Sequence, residues 1–283
     1  VLAGLAALAP WLSPYPPDAQ LDIVALRTQP PSWAHPFGTD AFGRDVLSRV
    51  LHGARVSLAV SGMAVLVGLG AATGAGVLAA AAGPTMARLL RRAMDVALAI
   101  PRVLLLVVVA GFWGPLPTGA LVLVIGLTGW FDTARLVADE TAALLARDYA
   151  VAARAVGSPT ARLLRVHLLP HLWPLLTALA PVSLAATIAL EAGLGFLGLG
   201  LQPPQASWGT ILHDGLAEGP GAWWLLAFPG GAMLLTVLAA QAAGDRLAAP
   251  AADPGARDAL RRAVPAPQVA PGRPPSSPPI PSS

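Results

Sequence analysis

Residues 56–82 carry no charged side chain. A helix crosses the hydrocarbon core of a bilayer with roughly 20 apolar residues, so this run is long enough to span with tilt. The rest of the chain offers no soluble body to bury it in. Of 283 residues, 55% are hydrophobic and 12% charged, and the mean hydropathy is +0.64. An average soluble domain carries about 25% charged residues. We therefore read an all-α membrane protein, and the question becomes how many spans it has.

Six candidate spans are visible. The first, within residues 1–13, is too short and starts at Val1 with no methionine before it. It reads as a partial span whose start is missing, or as a start codon read as valine. A signal peptide is the rival, but the basic n-region is absent and Pro10-Trp11 is a poor cleavage site. The others are about 56–82, 96–113, 118–137, 172–199 and 224–243. Gly114-Pro115-Leu116-Pro117 separates the third from the fourth as a tight turn. The domain organisation expected from this is an external segment at 14–55 and a transmembrane domain at 56–247 with a long loop at 138–171. A Pro-rich tail at 248–283 reads as disordered, since proline at this density sustains neither helix nor central strand.

Arginine placement orients the spans, because positive charge is retained on the cytoplasmic side. If the spans alternate, fourteen of the eighteen arginines share one side, in the segments around Arg88–Arg102, Arg135–Arg165 and Arg246–Arg273. Only Arg27, Arg44, Arg49 and Arg55 lie opposite. The loop 138–171 and the C-terminus are thus expected in the cytoplasm. Trp208, Trp223 and Trp224 are expected in an outer aromatic belt.

Residue types that are missing exclude chemistry. There is no cysteine, so disulfides, thiolate metal sites and cysteine nucleophiles are ruled out. All 18 basic residues are arginine. Without lysine the chain has no G-x-x-x-x-G-K-[ST] phosphate loop and no Schiff-base chemistry. A net charge of +3 with no basic face interleaved with aromatics does not suggest nucleic acid.

The loop 138–171 is long for a connection between spans and reads as two short helices. Asp148 can N-cap the first, over about 149–156. Gly157 suits the left-handed position that ends it, Ser158 caps the next, and Pro159 sits in its first turn. Pro170 closes or kinks the second helix before the fifth span. Ala152, Ala153 and Val156 give a small-residue face, with Arg154, Arg162 and Arg165 beside it. Two readings stand on physical grounds: a rigid docking knob, or a helix pair lying on lipid headgroups.

The run from Tyr149 through Val151, Ala152, Ala153 and Arg154 to Gly157 is followed by nine residues and then His167-Leu168-Leu169-Pro170. It resembles the EAA loop of bacterial ABC-importer permeases. Further blocks resemble the dipeptide/oligopeptide/nickel C-type subunit of that family: His35–Asp40 with Gly43–Arg49, Leu127–Trp130 with Ala134–Val137, Glu191–Gly200, Gln202–Pro204 with Ser207–Gly209, and Gly244-Asp245. The resemblance covers about residues 30–247. It implies a type I ABC importer transmembrane fold in the bacterial inner membrane, paired with a second permease subunit as a heterodimer. It also implies two ABC ATPase subunits that hold ATP and Mg, so that no cofactor is bound by this chain, and an external substrate-binding protein. The implied coupling residues are Asp148, Tyr149, Val151, Ala152, Ala153, Arg154, Gly157, Leu169 and Pro170. The implied cargo is a dipeptide, oligopeptide, nickel chelate or related small solute, with no covalent chemistry on this chain.

One position departs from the family. Glutamate is usual where this chain has Val151. With Asp148 as cap, residue 151 would be the third helical position, where a carboxylate completes a capping box. The loss is expected to cost about 0.5–1 kcal/mol.

Other residues carry two readings each. Glu191 is either a pathway or gate residue or a hydrogen-bond partner of a neighbouring span. The glycines at 193, 195, 198 and 200 favour close helix packing. Arg102, where the family usually has a small or polar residue, either snorkels to the interface or pairs with Asp95; a substrate role is a third option. Residues 40–55 read as an external amphipathic helix with Val46, Leu47, Val50 and Leu51 as its apolar stripe. Arg44, Asp45 and Arg49 then lie on its wet side, with Asp45–Arg49 as an i,i+4 pair. His167 and His171 are spaced like a helical zinc pair but lack the accompanying glutamate. A stand-alone secondary transporter, which would show paired broken helices and several intramembrane charges, is the alternative function. An intramembrane hydrolase is a third.

Overall fold

The computed structural model describes residue 4 and residues 8–20, 22–114, 116–156, 158–202 and 205–248. Residues 1–3 and 5–7 of the expected partial first span and all of the tail beyond Ala248 lie outside the described residues. Within them the chain is helical, with one isolated bridge between Thr39 and Asp45. The elements are α1 (Ala9–Leu12), α2 (Val46–Ala81), α3 (Pro84–Leu98), α4 (Arg102–Trp113), α5 (Thr118–Thr128), α6 (Phe131–Leu145), α7 (Asp148–Ala155) and α8 (Thr160–Leu163). A π-helical turn (Leu164–Leu168) follows, then α9 (Leu169–Phe196), α10 (Trp208–Glu218), a 3-10 turn (Pro220–Ala222) and α11 (Trp224–Ala248).

Three helices, α2, α9 and α11, are long and apolar enough to cross a membrane. Two bent pairs bring the number to five if each is one span. Ala87–Leu98 and Arg102–Trp113 meet at 73°, and Thr118–Thr128 and Phe131–Leu145 meet at 49°. The expected uninterrupted spans at 96–113 and 118–137 are therefore both broken. The first breaks at Ala99–Pro101, where proline disfavours helical geometry in the residue before it and lacks the N–H that would continue the ladder. The second breaks at Gly129-Trp130, and Gly129 N–H donates to Gly126 O rather than continuing the α pattern.

At the centre, α2 packs against α5, α6, α9, α10 and α11. Close approach there depends on glycine. A Cβ on Gly126 would stand 2.7 Å from Ala64 O of α2, and one on Gly76 would stand 2.7 Å from Ala134 O of α6. Small residues of this kind let membrane helices touch backbone to backbone. One apolar core joins Val60 and Ala64 to Leu106, Leu121, Ile125 and Leu194. Large side chains such as Leu66, Leu104, Phe112 and Leu235 face outward, as suits lipid or a neighbouring subunit.

The N-terminal end of α2 corrects the external-helix expectation. Residues 40–45 are loop, and from Val46 the helix runs unbroken into the span. Arg49 is not on a wet side: it is 4% exposed. Its Nη1 donates to Asp40 and, at 3.0 Å, to Asp214 of α10. Arg44 reaches the same two carboxylates at 2.7 and 3.3 Å. The expected Asp45–Arg49 pair does not form, because Asp45 is occupied elsewhere. It caps α2 by accepting from Ser48 N–H and Oγ, both at 2.8 Å, and it meets His35 Nδ1 at 2.9 Å. Ser48 Oγ thus donates to the carboxylate, not to the imidazole, so the three residues form a cap and not an activated nucleophile.

The aromatic-belt expectation is also corrected. Trp208 and Trp224 are buried, donating through Nε1 to Val50 O and Thr39 O at 3.1 Å each, and only Trp223 is exposed. Trp208, Trp224, Val46, Val50, Ile188 and Ile211 form the core that ties this end together.

Candidate functional site

At the opposite end of α2, the segment after α6 folds into the expected pair of short helices. Arg147 O accepts from Ala150 N–H at 2.9 Å and from Val151 N–H at 3.1 Å. The cap is therefore Arg147, one residue before the expected Asp148. Asp148 is exposed in the first turn, where a carboxylate complements the positive helix end. Val151 falls at the fourth helical position, so the capping-box argument for residue 151 does not apply. Pro159 O, in turn, accepts the first bonds of α8 from Arg162 and Leu163.

The hairpin is anchored from beneath. Ala150 of α7, Leu163 of α8, Leu168 of the π turn and Leu172 of α9 are buried together with Val137, Leu144 and Leu145 of α6. Val77 and Ala80 of α2 pack on the same cluster. Tyr149 is half-buried and stacks on His171 of α9, with ring centroids 5.9 Å apart at 20°. That contact links α7 to the start of α9. Apolar and small side chains are exposed along α7 and just after it: Val151 is 55% and Val156 84% exposed, and Ala152 is exposed between them. Ala153 is half-buried. Arg154 lies in the last part of α7. Ser158 N–H donates to Ala153 O at 3.0 Å across the end of the helix; Gly157 itself is outside the described residues.

Pro170 does not close a helix. The chain stays helical from Thr160 to Phe196, with the strain taken up by the π turn. Leu169 N–H reaches back five residues to Leu164 O. A proline ring clashes with the carbonyl four residues earlier, and the widened turn moves that carbonyl aside. Leu169 and Pro170 are both exposed.

Glu191 is not part of this hairpin. It lies near the far end of α9, about 30 Å away at 1.5 Å per residue. It is fully buried and accepts from Ser57 Oγ of α2 at 2.9 Å. Ser57 also accepts Trp208 N–H at 3.2 Å, which connects α9, α2 and the start of α10. The geometry is that of the hydrogen-bonded alternative. The glycines that follow differ among themselves: Gly195 packs on Gly209, while Gly193 has open space where a Cβ would be.

Arg102 does not pair with Asp95, whose partner is Arg135 at 2.9 Å. It starts α4 and turns into the bundle instead. Nη2 donates to Ile125 O at 2.6 Å and Nε to Thr128 Oγ1 at 3.3 Å. Its guanidinium lies on Gly129, where a Cβ would come within 2.4 Å of it. Two adjoining clefts of about 290 and 310 Å³ share Arg102, Gly129 and Asp132 as lining. Sequence reasoning marked Arg102 but not this neighbourhood, because its partners are more than twenty residues away. No group of His, Asp and Glu that could hold a metal ion occurs among the described residues.

Comparison with known proteins adds to this geometry. Residues 72–249 match the family model for "Binding-protein-dependent transport system inner membrane component". The chain is 37% identical over 263 residues to the di/tripeptide transport system permease protein DppC of Pseudomonas aeruginosa (strain UCBPP-PA14), covering 90% of this chain and 82% of that one. It is 42% identical over 246 residues to a putative peptide transport system permease protein of Brucella suis biovar 1 (strain 1330), covering 86% and 80%. A putative peptide permease protein of Brucella ovis is 37% identical over 242 residues, covering 84% and 78%.

Proposed function

The chain belongs to the family of binding-protein-dependent transport system inner membrane components, and on that premise we propose that it forms half of the membrane pathway of an ATP-driven peptide importer. Membership of the family makes it an ABC importer permease, a transport subunit in the membrane. The finer reading is ours. Peptides, and dipeptides among them, are the cargo, as the names of the similar permeases suggest. A second, non-identical permease completes the pathway. Two ATPase subunits, holding ATP and Mg, seat α7, and an external binding protein delivers the peptide. The C-terminus faces the cytoplasm, on the arginine-rich side.

The observation that carries the coupling role is the contrast between the two faces of α7. Outward it offers Val151 and Ala152 to a partner, with Val156 just beyond its end. Inward Ala150 is locked into a core shared with α6, the π turn, α9 and α2. A push on such a helix moves the long helices and not only the loop. Asp148, Tyr149, Leu169 and Pro170 flank this surface, and Arg154 and Gly157 complete the proposed coupling set. A peripheral helix on headgroups would not need the buried anchor.

The secondary-transporter alternative predicts paired broken helices, and two bent pairs are present. A family named for dependence on a binding protein favours the ABC reading all the same. Co-purification with an ABC ATPase and ATP-dependent uptake of a labelled dipeptide in reconstituted vesicles test the proposal. Uptake that runs on an ion gradient without ATP refutes it.

A further inference from the structure

Arg102 is a cation placed inside a bundle of apolar helices, where a charge is costly and commonly marks a transport path. Its immediate role is structural. It starts α4 just after the 73° break and ties itself to the last turn of α5, just before the 49° break. The carbonyl it chooses, Ile125 O, has lost its helical partner because Gly129 N–H turns to Gly126 O. A cation suits that negative helix end. This uses two of the five guanidinium N–H donors, and among the described residues the remaining three make no hydrogen bond.

Arg102 also lines the 290 Å³ cleft, whose other polar lining is Asp132, Thr133, Ser183 and Thr187. Val65, Leu136 and Val182 supply apolar wall. Asp132 is in the first turn of α6, beyond the same break that Arg102 bridges, and it is exposed with no ion pair among the described residues. The cleft thus lies between α2, α5, α6 and α9 and presents a cation and an anion in one chamber. Small-molecule sites run from about 300 to 1,000 Å³, so this one is at the short-ligand end.

We propose that this cleft is a recognition site for a short zwitterionic peptide, with Arg102 binding the terminal carboxylate and Asp132 facing the terminal ammonium. The inference deepens the transport reading above and rests on it. Arg102 then has two tasks. It staples two helix breaks together, and it offers its outward donors to cargo passing the same breaks. Hydroxyls of Ser183 and Thr187 on α9 complete the polar lining opposite. Arginine is suited to the role because its planar fork holds a carboxylate by two parallel bonds.

The test uses the lack of cysteine in the chain. Ser183→Cys introduces a single thiol into the cleft. The full chain, assembled with its partner subunits in phosphatidylcholine vesicles, is labelled with N-ethylmaleimide and read by the mass shift of this chain. Millimolar dialanine is expected to slow labelling at least threefold, and dialanine with an amidated C-terminus is expected to leave it unchanged. Adding Arg102→Ser should abolish the protection, and Arg102→Lys should retain part of it. The comparison of acid with amide is made with Arg102 in place, so it decides even if the variants misfold. Equal protection by both peptides, protection by neither, or protection surviving Arg102→Ser overturns the proposal. Protection by added phosphatidylglycerol without peptide also overturns it, in favour of a lipid site. If dialanine protects but ATP fails to drive its uptake in the same vesicles, the site stands and the importer reading falls.

Discussion

Ser57 Oγ donates to Glu191 Oε2 at 2.9 Å, joining the first long span to the fifth expected one through a carboxylate with no exposed surface. Because Ser57 also accepts Trp208 N–H, one hydroxyl holds three helices in register. Ser57→Ala should therefore cost about 1–3 kcal/mol, because it leaves a buried carboxylate oxygen and the Trp208 N–H without their partner. Glu191→Ala should cost more, about 2–4 kcal/mol, since it also leaves a cavity. Glu191→Gln keeps an acceptor and the volume, and should fall well short of the alanine loss. Thermal unfolding of the three variants in one detergent checks the order. If Gln proves as damaging as Ala, the charge and not the acceptor is what the fold uses.

Two glycines on α2, two residues apart, make opposite predictions. Gly74 is exposed with nothing near where a Cβ would be, so Gly74→Ala should stabilise the helix by up to about 1 kcal/mol. A Cβ on Gly76 would press to 2.7 Å from Ala134 O and 2.8 Å from Val137. Gly76→Ala should cost about 1–3 kcal/mol by forcing α2 and α6 apart. Equal melting temperatures for the two variants would mean that this helix crossing has room for a methyl group at Gly76.

How much of this was legible beforehand depends on how far apart in sequence the interacting groups are. Charge-free runs such as 56–82 are local, and they revealed the membrane class. The hairpin was legible for the same reason, since its turn residues are neighbours. The burial of Arg49 is not legible locally, because Asp214, which helps hold it in the interior, is 165 positions away. From the sequence alone an arginine beside an apolar stripe looks solvated. Tryptophan beside a span often sits in an aromatic belt, and only the tertiary acceptors Val50 O and Thr39 O draw Trp208 and Trp224 inside. The breaks at Ala99–Pro101 and Gly129-Trp130 had their local signals, a proline and a glycine, but apolar composition on both sides outweighed them.

The π turn gives Pro170 a role beyond ending a helix. Replacing it by alanine restores a backbone N–H and removes the clash that favours the wide turn. Residues 164–168 are then expected to relax to α geometry. Losing one residue of winding rotates α8 against α9 by about 100°. Pro170→Ala should lower the melting temperature, because the rotation turns Leu163 away from Leu168 and Leu172, and should lower ATP-coupled uptake several-fold, because the hairpin no longer meets its partner in register. Unchanged uptake would show that transmission does not run through this turn.

Val151 separates stability from coupling. Its N–H is already bonded to Arg147 O, and its side chain is 55% exposed, so glutamate there neither loses a buried contact nor completes a capping box. A carboxylate near the helix start is worth about 0.3–1 kcal/mol at most. Val151→Glu should therefore leave the melting temperature nearly unchanged. It restores the residue usual in the family the chain resembles at this position, and ATP-coupled uptake should be kept or raised. Ala150→Glu is the contrast: it drives a charge into the cluster around Leu144, Leu163 and Leu168, and should destabilise the hairpin itself. A large drop in uptake for Val151→Glu, at constant melting temperature, would mean that the partner surface here selects an apolar side chain.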